Sequence, residues 1–330
     1  MKTWERMIAL GVLACACGDD SGESASIGES ASATEVSASA SESESDSLSG
    51  ESEGDSASAS GSESGGGDGL SCDKVDLLFV VDDSGSMVEE QDKLTDAFPD
   101  FMITADAELI KAKGVDYRVG VISVDMVGAG FGQGLRGRLQ HESDRLACDD
   151  LPPGRWIEAG PLSEVAKQFK CIASMTGGSG WEMPLEALRA SLTDRVNDQE
   201  AYNDGFLRDD ALLVVMLITD EDDQSVLNVD ETWDGLAVPG PITPVSVYWN
   251  QLVKLKGDDP SRIVVVGLSG GDESACTSVG GDASAAPRVH ELLELAAPNS
   301  HWGLICEDDY TAPLREALNV IEASCDGFGD

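Results

Sequence analysis

Short, continuous runs of apolar residues recur along the chain from residue 75 onward. Each run has the length of a strand and is bounded by polar or glycine-containing stretches. Runs that are continuously apolar, instead of alternating, indicate strands that are buried on both faces of a sheet. We predict four such strands and a weaker fifth, at residues 75–81, 117–124, 212–219, 263–268 and, for the fifth, 302–306.

Between these strands, apolar residues recur at helical spacing. The clearest stripes lie at residues 185–192, 289–296 and 314–321. Pro184 suits the first turn of the first helix, and Pro287 and Pro298 bound the second. Strands that alternate with helices predict an α/β fold with a doubly wound, mostly parallel sheet flanked by helices. We expect an edge hairpin or long loops within 125–160, and further loops at 197–210 and 272–286.

The N-terminal residues have the pattern of an export signal. Lys2 and Arg6 adjoin a short apolar run, 7–14, which is too brief to span a bilayer but suits a signal peptide. The run ends in small residues, a cysteine and then polar residues, which resembles the lipobox of bacterial lipoproteins. We expect a lipoprotein signal peptide at 1–17, with Cys15 or Cys17 lipidated. An ordinary cleaved signal peptide is the alternative.

Residues 18–71 differ sharply in composition from the rest. They are almost entirely Ser, Ala, Glu, Gly and Asp, with no Lys, Arg or aromatic residue. Such a segment cannot bury enough apolar surface to offset its ordering entropy, so it predicts a disordered, acidic linker that tethers the rest of the chain. The remaining residues, 72–330, have enough apolar residues for one globular domain.

The net charge restricts the classes of partner that suit this domain, and the cysteine count predicts disulfides. The chain has a net charge of -41, which argues against nucleic acid as a partner and favours cations. Six cysteines follow the signal region, and an even number in an exported chain predicts disulfides. No Cys/His spacing typical of zinc is present. Six cysteines allow fifteen connectivities, so the residues alone leave the pairing open.

The first predicted strand ends in a motif that suits a hard cation. Asp82, Ser84 and Ser86 form an Asp-x-Ser-x-Ser pattern directly after the apolar run. Side chains at alternate positions of a tight turn can direct their oxygens to one ion, and oxygen is the ligand that such cations prefer. The alternative is a Ser/Gly turn that caps the following helix.

The strand at 212–219 ends in a second matching pair, Thr219 and Asp220. Together with the Asp-x-Ser-x-Ser motif, this pair resembles the metal-ion-dependent adhesion site of von Willebrand factor A domains, over roughly the whole of residues 73–324. The resemblance departs from the family in a third segment, where Glu182 stands at the expected threonine. Thr176 or Ser179 would replace it only if the loop were remodelled, and Glu182 as a helix cap is a further alternative.

The resemblance implies a binding function without catalysis. Ser84, Ser86 and Asp220, with Asp82 and Glu182, would hold Mg²⁺ or Ca²⁺, with Mn²⁺ as a substitute. One coordination position would accept an Asp or Glu of a protein partner. With the signal peptide, this predicts an exported adhesion-type module, lipid-anchored to the bacterial envelope at the outer membrane or cell surface. The family's domain ends lie close together, which suggests the disulfides Cys72–Cys325, Cys148–Cys171 and Cys276–Cys306.

Two other functions fit parts of the sequence. Gly267, Ser269 and Gly271 match the Gly-x-Ser-x-Gly motif of α/β-hydrolases, with His290 and His301 downstream. A helix should follow that motif directly, whereas the residues after it have the composition of a loop. The domain could instead be a structural scaffold of the envelope, in which the metal only braces loops.

Overall fold

A six-stranded sheet forms the centre of the domain. The computed structural model describes residues 72–127, 136–143, 145–229, 233–237, 239–279 and 281–327. The expected signal peptide with Cys15 and Cys17, and the expected linker at 18–71, lie outside the described residues. The sheet has the order β3-β2-β1-β4-β5-β8, and every pair is parallel except β3 with β2. Its strands are β1 Lys74–Val81, β2 Asp116–Ser123, β3 Ile157–Glu158, β4 Leu212–Ile218, β5 Ile263–Ser269 and β8 Ser300–Leu304.

The central strands are apolar throughout because each face of the sheet has its own hydrophobic core. Along β1, Leu77 and Phe79 enter one core, whereas Leu78 and Val80 enter the other. Successive side chains of a strand point to opposite faces, so burial of both faces requires an unbroken apolar run.

Helices cover both faces of the sheet. The helices are α1 Val88–Ala105, α2 Leu162–Ile172, α3 Pro184–Leu192, α4 Asp194–Asn197, α5 Val245–Leu255, α6 Pro287–Ala296 and α7 Thr311–Asp326. A π-helical turn, Asp106–Ile110, and a last turn, Lys111–Lys113, extend α1. The core on one face contains residues of α1, α2 and α7, and the other contains residues of α3, α5 and α6.

The predicted doubly wound, mostly parallel α/β fold is therefore confirmed. Each predicted strand is present with its bounds shifted by no more than two residues. The described part of residues 125–160 contains the two-residue edge strand β3, which pairs antiparallel with β2. The expected loop at 272–286 is wrong in part, because a small antiparallel hairpin, β6 Cys276–Ser278 with β7 Gly281–Ala283, lies there.

Three disulfides join distant parts of the domain. They link Cys72 to Cys325, Cys148 to Cys171 and Cys276 to Cys306, which are the pairs that the resemblance implies. The first connects the residues just before β1 to the last turn of α7, and the third connects β6 to the segment after β8. Within the described residues, no helix is long and apolar enough to cross a membrane.

Candidate metal centre

The candidate site lies at the carboxyl ends of β1 and β4, which are neighbours in the sheet. Val81 pairs with Ile218, and the Asp82 amide donates to the Ile218 carbonyl at 2.9 Å. The Thr219 hydroxyl then donates to Asp82 Oδ2 at 2.9 Å. Two motifs that are far apart in the sequence meet because parallel strands end at the same edge of the sheet.

The turn after β1 aligns the two serine hydroxyls. The Ser84 amide donates to Asp82 Oδ1 at 2.8 Å, which folds the turn back onto the carboxylate. Ser84 Oγ and Ser86 Oγ lie 3.1 Å apart, with Ser84 half-buried and Ser86 exposed. Neighbouring oxygens around an octahedral Mg²⁺ at ~2.1 Å are separated by about 3.0 Å. The two hydroxyls therefore fit adjacent positions on one small cation. Ser84 makes no side-chain cap to the following helical turn, so the helix-cap alternative gains no support.

Asp220 supplies an unsatisfied acceptor at the same place. Its side chain is 4% exposed, and its Oδ1 is buried without a hydrogen-bond partner in the described part of the chain. Burial raises the pKa of Asp220, although the Ser86 hydroxyl beside it opposes that shift. An unpaired, buried carboxylate oxygen is costly, and a bound cation would satisfy it. The residues present thus fit a divalent ion.

The carboxyl of Asp82 is affected by the neighbouring Asp220. Burial, together with the negative charge of Asp220, raises the pKa of Asp82 to about 7. A like charge nearby disfavours ionisation of a buried carboxyl. A divalent cation between them would reverse that effect and keep both ionised.

Glu182 joins this acidic group from a third segment. It is buried, and burial raises the pKa of its carboxyl well above the usual range, with the charges of Asp82 and Glu221 adding to the shift. Its backbone is held by a bridge to Asp125 and by the Gln224 amide, which donates to the Glu182 carbonyl at 2.8 Å. Glu182 is thus close enough to Asp82 for their charges to interact.

The helix-cap interpretation of Glu182 is not supported. The first amides of α3 are received by other side chains: Leu185 donates to Asp223 Oδ1 at 3.1 Å, and Glu186 donates to Ser225 Oγ at 2.8 Å. The other two candidate ligands, Thr176 and Ser179, lie in a loop that contacts the turn after β1, because the Gly178 amide donates to the Asp83 carbonyl at 3.0 Å. Ser179 donates its hydroxyl to Asp125 Oδ1 at 2.8 Å, and Thr176 is exposed.

The sequence did not reveal Gln91 as part of the site. Its Nε2 donates to the Asp82 carbonyl at 2.8 Å, and its Oε1 accepts from the Met175 amide at 2.9 Å. Gln91 is fully buried on α1, so it ties the end of β1 to the segment after α2. The sequence feature that could have indicated its role is a glutamine three positions before Leu94, on the face of α1 that the apolar residues form.

Among the described residues, no three His, Cys, Asp or Glu side chains converge as a metal site by themselves. The carboxylates of Asp82, Asp220 and Glu182 therefore do not suffice here, and the serine hydroxyls would have to supply further donors.

Ser269 lacks the surroundings of a nucleophile. It is fully buried, its hydroxyl donates to the Gly270 carbonyl at 2.9 Å, and it accepts from the Trp302 indole at 3.3 Å. His290 contacts the Gly270 carbonyl through Nε2 at 3.2 Å instead of Ser269. A serine-hydrolase interpretation needs a hydroxyl bonded to its base, and this geometry does not provide one.

The chain matches no protein-family model and no curated protein. Its fold is similar to solved structures of low identity. Proximal thread matrix protein 1 from the mussel byssus is 16% identical over 76% of this chain and 49% of that chain, with a TM-score of 0.38. A further structure of that protein has a zinc-occupied MIDAS motif. The pilus adhesin SpaC from Lactobacillus rhamnosus GG is 13% identical over 77% of this chain and 30% of that chain, with a TM-score of 0.40.

The manganese-loaded TRAP protein of Plasmodium vivax is 17% identical over 78% of this chain and 75% of that chain, with a TM-score of 0.35. The present chain spans about half the length of the thread matrix protein and less than a third of the pilus adhesin. These likenesses concern the fold, and the functional argument rests on the geometry of the site.

Proposed function

We propose that this domain binds a protein partner through a divalent cation held by Ser84, Ser86 and Asp220, with Asp82 and Glu182 completing the site. The observation that carries the proposal is the unpartnered, buried Oδ1 of Asp220 beside two serine hydroxyls 3.1 Å apart. The bound cation would supply a coordination position for an Asp or Glu carboxylate of the partner.

The exposed side of the turn is the entry to this position. Gly85 and Ser86 are exposed, whereas Asp82, Asp220 and Glu182 are buried beneath them. An external carboxylate would therefore approach over the serines. Hydroxyl ligands are neutral and leave the cation's charge available to that carboxylate, whereas a charged Glu182 would reduce it.

Two features of the site favour different cations. Three carboxylates suit Ca²⁺, which accepts many charged oxygen ligands, whereas the short separation of the serine hydroxyls suits Mg²⁺ or Mn²⁺. We propose Mg²⁺ or Ca²⁺ as the natural ion, with Mn²⁺ as a substitute.

The proposal places the protein outside the cytoplasm. Disulfides persist in oxidising compartments, and the domain contains three. With the expected lipidation of Cys15 or Cys17 and the acidic linker at 18–71, the domain would be held away from the bacterial envelope on a tether. No catalytic step is part of this function, and nucleic acid is not a partner.

Calorimetric titration of the full chain with Mg²⁺, Mn²⁺ and Ca²⁺ tests the site. The wild type should release or take up heat with one-to-one stoichiometry, and Asp220→Asn should abolish it. Asp210→Asn is the matched control, because Asp210 lies just before the opposite end of β4 and pairs with Lys74 there. Equal heats for the wild type and Asp220→Asn would refute the site. Partner binding that survives a chelator would instead indicate a scaffold role.

A further inference from the structure

A turn beside the candidate site is braced by two tryptophans. The turn comprises residues 233–237. The Trp181 indole donates to the Gly235 carbonyl at 2.9 Å, and the Trp233 indole donates to the Ala237 carbonyl at 2.8 Å. The two indoles also contact each other edge to face, with ring centroids 5.7 Å apart. Both carbonyls that flank Leu236 are therefore fixed by tryptophans.

Other contacts also hold the same turn. Arg136 Nη2 donates to the Trp233 carbonyl at 2.9 Å, and the Leu236 amide donates to Asp234 Oδ1 at 3.1 Å. Gly235 has a φ of +76°, and an added Cβ there would meet Val127 Cγ1 at 3.1 Å. A left-handed φ with so little room for a Cβ favours glycine at this position of the turn.

The braced turn exposes a leucine side chain to solvent. Leu236 is 78% exposed, although its neighbours in the turn are anchored. A single exposed leucine is ordinary in a soluble protein. Here, however, two tryptophans and an arginine hydrogen-bond the backbone around it. Trp181 directly precedes Glu182, and Gly235 lies against Val127, just beyond the carboxyl end of β2. Leu236 is therefore at the same end of the sheet as the candidate site.

We propose that the partner segment carries an Asp or Glu with an aliphatic or aromatic residue within a few positions of it. The carboxylate would bind the cation, and the apolar residue would pack on Leu236 and the partly exposed indoles of Trp181 and Trp233. This inference rests on the proposed metal-dependent function and specifies its partner class.

The charge of the protein supports a partner of this kind. The net charge of -41 repels a strongly acidic segment at long range. One carboxylate bound by the cation, together with apolar contact, provides affinity without further negative charge. Preorganised side chains lose little entropy on binding, and tryptophan is prominent among the residues that contribute most binding energy at interfaces.

Selection from a random-peptide phage library on the immobilised full chain in Mn²⁺ tests the inference. Phage released by a chelator should be enriched in peptides that pair an acidic residue with a nearby aliphatic or aromatic residue. A synthetic peptide of that sequence should bind Leu236→Ser about tenfold more weakly than wild type. Leu236→Met should bind it nearly as well as wild type.

The control variant is Ile103→Ser. Ile103 is 56% exposed and lies near the far end of α1, about 20 Å along the helix from its start beside the site. Peptide binding by this variant should equal that of the wild type. Calorimetry should give the same Mn²⁺ affinity for Leu236→Ser as for wild type, which separates loss of contact from loss of the site.

The outcomes distinguish the inference from the function on which it rests. Chelator-released peptides without an apolar residue, or equal binding of a selected peptide by Leu236→Ser and wild type, would overturn the inference and leave metal-dependent binding intact. If the chelator releases no enriched peptide at all, the partner class and the proposed function fail together.

Discussion

At the scale of single residues, the candidate site depends on side chains that do not themselves face a ligand. Gln91 holds the Asp82 carbonyl and the Met175 amide from within the core. It therefore sets where the end of β1 lies relative to the following turn. A buried polar side chain that satisfies two backbone groups is expensive to remove, because both groups lose their partner.

We predict that Gln91→Leu destabilises the domain and weakens cation binding. Two buried backbone groups left without partners should lower the free energy of unfolding by about 2–4 kcal/mol. Displacement of Asp82 should also reduce Mn²⁺ affinity. Urea unfolding and calorimetry measure the two effects. Gln168→Leu, at a half-exposed position of α2, should change neither, and an unchanged Gln91→Leu protein would remove Gln91 from the account.

The sequence predicts which candidate residues lie near each other most readily where a strand precedes them. Asp82 and Asp220 follow apolar runs directly, so a parallel sheet brings them together. The positions of Glu182 and Gln91 were harder to predict. Glu182 lies in a loop and Gln91 lies in a helix, so their positions relative to the site depend on tertiary packing. Asp223, which accepts the Leu185 amide at the start of α3, was also not apparent, since it lies after β4 and far from α3 in the sequence.

At the scale of elements, the strands were easier to predict than some helices. Helix α5 combines Val245, Tyr248 and Trp249 on its buried face, and β-branched and aromatic residues are more typical of strands. The hairpin of β6 and β7 was hard to predict because its strands lack the residues that are typical of strands. Its strands contain Gly, Ser, Thr and Asp with little alternation. A disulfide from Cys276 to Cys306 anchors the hairpin, and Ala283 is its buried residue.

Helix α5 ends beside a buried lysine that should make stability depend on pH. Lys256 is 1% exposed and donates to the Arg208 carbonyl at 2.8 Å. Burial, aided by the charge of Arg262, lowers the pKa of Lys256 from 10.5 to about 8. The folded state therefore loses this proton at a lower pH than the unfolded state does.

From this shift we predict that stability rises with pH above about 8. Below that value both states hold the proton, and the cost of the buried charge is constant. Above it the unfolded state binds more protons, so the free energy of unfolding should gain about 1 kcal/mol between pH 7 and pH 9 relative to a Lys256→Met variant. Urea unfolding across this range measures the difference. Lys254→Met, at an exposed position of the same helix, should keep the wild-type dependence, and parallel pH curves for wild type and Lys256→Met would contradict the prediction.

At the scale of the whole molecule, the two ends of the domain are joined covalently. The Cys72–Cys325 disulfide spans 253 residues, whereas Cys148–Cys171 spans 23. In the chain-entropy description, a longer closed loop restricts the unfolded chain more.

Removing the longer link should therefore cost more stability than removing the shorter one. We predict that the double variant Cys72→Ser/Cys325→Ser loses about 5 kcal/mol of unfolding free energy, roughly 2 kcal/mol more than Cys148→Ser/Cys171→Ser. Denaturant unfolding under non-reducing conditions measures both. Equal losses, or a greater loss for the shorter link, would show that native contacts outweigh the entropy of loop closure here.

The sequence predicted the architecture of the domain because hydrophobic periodicity and strand order constrain it strongly. Disulfide pairing was different, since residue spacing left fifteen connectivities open and only the family resemblance selected one. The braced turn at 233–237 was not predicted either. It depends on contacts between Trp181 and Gly235, which are 54 residues apart in the chain.

Anomalous diffraction from a manganese-soaked crystal tests the central claim most directly. We predict one strong peak in contact with Ser84 Oγ, Ser86 Oγ and the Asp220 carboxylate, at about 2.2 Å from each oxygen. A peak bound elsewhere, or none at these side chains while they remain accessible, would contradict the claim that the ends of β1 and β4 form a cation site.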